Sequence, residues 1–143
     1  MRKILFITVQ YTGTRFTLEL VKPVLGEFAK LSVDGAEFYH HHCMKRLLPR
    51  FIELRDQGYD IITTFRNYED TKAAWRRRFG DGSDQVPAMF HEQWEVYADW
   101  VRPNAMVTFQ PCNEMVRDHS LDLLNNFLDS DLTTDWIPIG HDR

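Results

Sequence analysis

The chain has 143 residues, 43% of them hydrophobic and 27% charged, which suits one globular domain with its own core rather than two. A formal net charge of −4 argues against a general binder of nucleic acid or of acidic membranes. Aromatic residues make up 13%, with four Trp, so large rings are expected to carry much of the packing.

Residues 3–9, KILFITV, form a continuous apolar run of strand length, as expected of a strand buried on both faces. The opening MRKILFITV places charge before apolar residues, as a signal peptide does. Its run is short, however, and Gln10, Tyr11, Thr12, Gly13, Thr14 and Arg15 follow with no small-residue cleavage site. No segment approaches the ~18 apolar residues of a membrane span. Cys43 and Cys112 lack CxxC spacing and read as two reduced, buried thiols, so a cytoplasmic protein is expected.

After Gly13, Leu18, Val21, Leu25 and Phe28 mark a helical stripe, with Pro23 expected to bend or restart it. Asp34-Gly35 reads as a turn before a short strand near residues 36–40. Met44, Leu47, Leu48, Phe51 and Ile52 give a second helical face running to Gly58. YDIITTF, residues 59–65, is a strand by its β-branched and aromatic content. NYEDTKAAWRRRF is helical in composition and ends at the polar break GDGSDQVP. Phe90, Trp94, Tyr97, Ala98 and Val101 fall on one helical face. NAMVTFQ, residues 104–110, is a fourth strand, and residues 118–128 form a helix on Leu121, Leu124, Phe127 and Leu128. The tail SDLTTDWIPIGHDR shows no clear period.

This alternation predicts a single α/β domain over residues 1–143: three layers, with a mostly parallel sheet flanked by helices. Ligands of such sheets bind beyond the carboxyl ends of the strands. Three predicted strand ends, QYTGTRF, YHHHC and TTFRNYED, therefore meet at one rim.

Each segment has two readings. The turn at Gly13 offers backbone N–H groups, the hydroxyls of Thr12, Thr14 and Thr17, and the forked cation of Arg15 to a phosphate. It is equally an ordinary strand-to-helix turn, since the G-x-x-x-x-G-K-[ST] pattern is absent. Arg66 stands where an anion would meet the sheet edge, or pairs with Glu69 or Asp70. Arg76, Arg77 and Arg78 point in directions about 100° apart and cannot all serve one site. His40, His41 and His42 alternate faces in a strand, so no metal site is expected from them. One of them acts as a general base, or they form a polar strand end.

Taken together, these segments resemble the sulfotransferase superfamily, which is of the P-loop type. TGTRFTLELV is similar to its 5′-phosphosulfate loop, with GTR close to the heparan-sulfate branch. TTFRNYED resembles its 3′-phosphate motif, an apolar strand followed by Arg-Asn-Pro-x-Asp. FYHHHCMKRLLP falls where cytosolic members carry Lys-Thr-His-Leu-Pro; WEVYADW, AMVTFQP and LLNNFLD follow the family's later order, so the likeness covers residues 3–129.

The resemblance implies binding of a phosphorylated adenine nucleotide, 3′-phosphoadenosine 5′-phosphosulfate, without a metal, and sulfuryl transfer to a hydroxyl or amine of a small-molecule or protein acceptor. Tyr11, Thr12, Gly13, Thr14, Arg15, Phe16 and Thr17 would form the phosphosulfate loop, and Arg66 and Asn67 would hold the 3′-phosphate. His42 or His41 would be the base, His42 being favoured by laying HHH over Lys-Thr-His, and Arg15 would join the catalytic set. The chain also departs from the family. Its loop lysine falls at Tyr11, the proline of the Arg-Asn-Pro motif at Tyr68 and a 3′-phosphate serine at Ala74, and the Arg-Lys-Gly segment has no counterpart. Losing one such electrostatic group commonly costs ~3–4 kcal/mol of transition-state stabilisation. Two rival readings follow: a catalytically impaired module that binds a nucleotide or a protein, and a small nucleotide kinase, for which the chain lacks the Lys-Ser/Thr pair and a plain Mg²⁺-binding aspartate at a strand end.

Overall fold

The apolar run after Lys3 becomes strand β1, Ile4–Thr8, with every residue buried. In the computed structural model, residues 2–79 and 86–134 are described; residues 80–85 of the polar break and the tail beyond 134 lie outside them. β1 is flanked by β2, Phe38–His42, and β3, Asp60–Thr64, and β4, Val107–Phe109, completes a four-stranded sheet in the order β2-β1-β3-β4. All pairings are parallel, with Ile4 opposite Phe38 and Asp60, and Ile62 opposite Val107.

The helices are α1, Thr14–Leu25; α2, Leu48–Asp56, after a 3₁₀ turn at Lys45–Leu47; α3, Tyr68–Phe79; α4, Ala88–Val96; α5, Arg102–Asn104; and α6, Arg117–Leu128. The expected class, a three-layer α/β fold on a parallel sheet, is thus what forms. Strand residues alternate between two cores, as the strand period requires. Ile4, Phe6 and Ile62 face α1 and α6, meeting Phe16, Leu20 and Leu124. Leu5, Ile7 and Ile61 face the other way, towards Phe51 and Leu54 of α2 and Val96 beyond them. Each such burial contributes about 1.5–3 kcal/mol, before the entropy of ordering the chain is set against it.

Three local expectations are corrected. Pro23 does not restart the helix: α1 runs through it to Leu25, and Gly26 (φ 75°) turns the chain out of the helix and donates its N–H to the Lys22 carbonyl. Phe28 therefore leaves the helical stripe and sets its ring 5.3 Å from that of His40. β2 begins at Phe38 and runs to His42, so all three histidines belong to the strand, His42 being its last residue. Beside it Ala29 forms an isolated parallel bridge to Tyr39 along the outer edge. Finally, α4 passes through a π-helical turn, Tyr97–Val101, before α5. The wider turn rotates the later residues, and Ala98, expected on the buried face, is exposed.

Tyr97 is 2% exposed, and among the described residues its hydroxyl has no hydrogen-bond partner. Burial pushes this phenol's pKa upwards, so it stays neutral. An unsatisfied buried hydroxyl costs about 1–3 kcal/mol. Tyr97→Phe is accordingly expected to raise unfolding free energy by about 1 kcal/mol, read from chemical denaturation; a loss of that size would show that the hydroxyl is satisfied in solution.

Candidate functional site

The chain leaves β1 towards one face of the sheet through α1, and leaves β3 towards the other through α3. In doubly wound sheets the crevice beyond the strand ends opens where two such loops diverge; the cleft observed here lies beside it, between the loops after β3 and β4. The loop after β1 is clamped from several sides. Gln10 donates its N–H to Gln93 Oε1 at 3.1 Å, accepts Gln93 Nε2 on its own side-chain oxygen at 3.0 Å, and accepts the Trp75 indole N–H on its carbonyl at 3.1 Å. Tyr11 holds a left-handed φ of 68°, uncommon for a residue with a side chain. Its carbonyl accepts Arg66 Nη1 at 3.1 Å, and its ring meets Trp75 edge-on at 5.7 Å and Phe79 at 6.0 Å.

Gly13 is required twice over. Its φ of 88° is left-handed, and a Cβ there would lie 2.2 Å from Pro111 Cγ in the loop after β4. It caps α1 without a side-chain bond, so the first N–H groups of the helix and its positive end are turned towards the rim. The threonine hydroxyls are largely committed inward. Thr12 donates to the Val9 carbonyl at 2.7 Å and lies 2.6 Å from the Thr64 hydroxyl; Thr17 donates to the Gly13 carbonyl at 2.7 Å. Thr14 donates to Thr8 Oγ1 at 3.0 Å. These hydroxyls are thus largely used; Arg15 is exposed on the first turn, and Phe16 is buried in the core below.

Arg66 is half-buried, and a guanidinium N–H bond to the Tyr11 carbonyl ties it to the loop. Among the described residues it forms no ion pair with Glu69 or Asp70, so that expectation from sequence is corrected. Asp70 is engaged elsewhere: its N–H bonds Asn67 Oδ1 at 2.9 Å while Asn67 Nδ2 donates to its carboxylate at 2.6 Å. This reciprocal pair caps α3 and gives Asn67 a structural role. Arg66, Asn67 and Asp70 line one wall of a cleft of about 390 Å³, with Gln110, Cys112 and Glu114 opposite. Cys112, expected to be buried, is exposed there, whereas Cys43 is buried and its thiol pKa is raised by burial. Ala74, at the position of the family's serine, is buried at 8% exposure.

The histidines divide as strand alternation requires. His40 and His42 share the α1 face, since both reach Thr8 Oγ1, through Nε2 at 3.2 Å and Nδ1 at 3.3 Å. His41 turns the other way and bonds the His42 carbonyl through Nδ1 at 3.0 Å. The structure thus links His42, not His41, to the first residue of α1. Among the described residues no group of three or more His, Cys, Asp or Glu is placed to hold a metal ion, and no helix is long and apolar enough to cross a membrane. Gln93 escaped sequence reading because a polar residue between Phe90 and Trp94 looks solvent-facing; it is fully buried. No family model, curated protein or solved structure matches the chain.

Burial, with His42 and His41 nearby, holds the His40 pKa at about 3, against an ordinary value of 6.5. Between those values the unfolded chain takes up a proton that the native state refuses, so stability falls as pH drops through this window. At pH 5 the loss is on the order of 2 kcal/mol. Denaturation curves at pH 7 and pH 5 should show a smaller drop for His40→Gln than for the wild type; equal drops would rule out His40 as the source.

Proposed function

We propose that the chain is a minimal sulfotransferase-like domain whose rim binds a 3′-phosphoadenosine 5′-phosphosulfate-type nucleotide and passes its sulfuryl group to a hydroxyl or amine acceptor. The observation that carries this reading is the convergence of three sequence segments at one rim. The Gly13 turn, the Arg66 strand end and the histidine strand are joined by direct hydrogen bonds: Arg66 to the Tyr11 carbonyl, and Thr14 through Thr8 to His42.

In this reading the N–H groups opening α1 and the Arg15 side chain hold the phosphosulfate, and Arg66 turns its remaining N–H donors to the 3′-phosphate. His42 takes the acceptor's proton as the new oxygen–sulfur or nitrogen–sulfur bond forms. The bond from sulfur to the 5′-phosphate oxygen breaks, and its charge gathers near the helix N-terminus. With Tyr11 in place of the lysine, that charge is met by backbone dipoles and Arg15, so a slow reaction is expected.

A second reading is favoured by one specific observation. The Tyr11 ring is committed to Trp75 and Phe79, and three loop hydroxyls are used internally, as suits a module kept for binding alone. Thermal shift separates the possibilities. Adenosine 3′,5′-bisphosphate at 100 times its Kd should add ~2.7 kcal/mol, with or without Mg²⁺. A shift with Mg·ATP alone would turn the assignment towards a kinase, and binding without any sulfuryl transfer would favour the impaired module.

Arg66 provides the sharper test. Removing a charge-assisted phosphate contact should cost ~1.5–3 kcal/mol of binding, so Arg66→Ala is expected to weaken the bisphosphate at least ~10-fold by isothermal titration. Arg77, exposed on α3, should alter neither binding nor stability by more than ~0.5 kcal/mol when replaced by Ala. Unchanged affinity in Arg66→Ala, with a lowered melting temperature, would confine that residue to bracing the Tyr11 carbonyl.

A further inference from the structure

Where a parallel ladder ends, the two chains part and their backbone groups need new partners. Strands β1 and β2 part in this way. Thr8 and His42 are their last register pair, and the Cys43 N–H, on the Thr8 carbonyl at 2.9 Å, adds one bond beyond it. From there the β1 branch runs to the Gly13 turn and the β2 branch to Met44. Gln93 of α4 bonds to both.

Gln93 is fully buried. Its oxygen takes the Gln10 N–H at 3.1 Å, and a backbone N–H can only donate, so this bond fixes which end of the amide faces Gln10. The amide nitrogen then gives one proton to the Gln10 side-chain oxygen at 3.0 Å and one to Met44 Sδ at 3.6 Å, a weak acceptor. Both protons and the oxygen are in use. The adjacent Glu92 accepts the Lys45 N–H on Oε2 at 3.4 Å, a second tie from α4 to the β2 branch. A carboxylate at position 93 would still take the Gln10 N–H, but it would set a buried charge against the Gln10 oxygen and the sulfur. Protonated, it would again carry one donor and one acceptor.

We propose that Gln93 is a positioning residue that stands in for the next rung of the ladder and sets the spacing between the turn after β1 and the histidine strand β2. Its consequence for catalysis rests on the sulfotransferase-like reading above. There the turn holds the sulfuryl donor and His42 takes the acceptor's proton, and transfer needs a fixed gap between the two. The clamp itself does not rest on that reading.

Amide hydrogen exchange read residue by residue, as protection against the intrinsic rate, tests the clamp. In wild type the Gln10 and Cys43 amides should be protected. Gln93→Met keeps the bulk and loses the polar amide, and it should cost both residues at least ~10-fold more protection than Leu5 and Ile7 in mid-strand. Gln93→Glu should match Gln93→Met at pH 8 and recover at pH 5, where its carboxyl is neutral, whereas Gln93→Met should not recover. An unprotected Gln10 in wild type, a loss at Gln10 that spares Cys43, an equal loss along β1, or no recovery of Gln93→Glu at pH 5 each overturns the spacing role. If Gln93→Met does not fold, wild type and the pH response of Gln93→Glu still decide. Where sulfuryl transfer is measurable, Gln93→Met should lower kcat at least ~10-fold beyond any loss of bisphosphate affinity, and an unchanged kcat overturns the catalytic consequence. A wild type that does not bind the bisphosphate removes the assigned reaction and leaves exchange to decide the clamp.

Discussion

Everything at the rim depends on how β1 ends. Strand β1 is buried on both faces, so the chain emerging from it carries backbone and side-chain polar groups that water cannot reach, and an unpaired one there is costly. The solution draws on almost every neighbouring element. β2 supplies two imidazoles to Thr8, Thr64 of β3 meets Thr12, α3 gives the Trp75 indole to Gln10, and Gln93 of α4 clamps the same residue. The left-handed backbone at Tyr11 and Gly13 is stable only inside this frame. Loop shape is therefore set by tertiary contacts rather than by the turn residues themselves.

That frame shapes the electrostatics. Cation and dipole are divided among separate elements: the α1 terminus, Arg15 on its first turn, and Arg66 across the crevice. Arg66 does two things with one guanidinium, bracing the Tyr11 carbonyl and facing the cleft. A lysine would act as a mobile point charge, whereas a planar fork held by a backbone carbonyl fixes direction as well as sign. The facing acids, Asp70 and Glu114, temper the positive potential in the cleft.

The strands and their order along the chain were legible because KILFITV is an apolar run of strand length, as a strand buried on both faces demands, and YDIITTF is rich in β-branched and aromatic residues. What escaped reading was polar and non-local. Gln93 looks like a surface residue until Gln10, 83 positions earlier, supplies its partner. Arg66 has acids three and four residues away, and local spacing favours them, but Asn67 captures Asp70 as a cap. The π-helical turn after α4 leaves no periodic trace, so the face of Ala98 was misplaced. Strand alternation separated His41 from His42, while the common tie of His40 and His42 to Thr8 needed the register of β1 against β2. Phe28 was read into a helix that a left-handed Gly26 closes two residues earlier.

The bridge between Ala29 and Tyr39 has a consequence for how copies of this chain meet one another. An outer strand with open N–H and carbonyl groups is a template on which a neighbouring molecule can add its own strand. On β2 that opportunity is partly closed from within. The Ala29 N–H bonds the Phe38 carbonyl at 2.8 Å, and its carbonyl accepts the His40 N–H at 3.4 Å, so the hydrogen-bonding groups at the middle of the edge are already used. At the opposite margin β4 runs for only three residues, too short to seed a ladder. A sheet rich in β-branched and aromatic residues is thereby kept from growing sideways into a fibre, and the segment that guards it is the one joining α1 to β2.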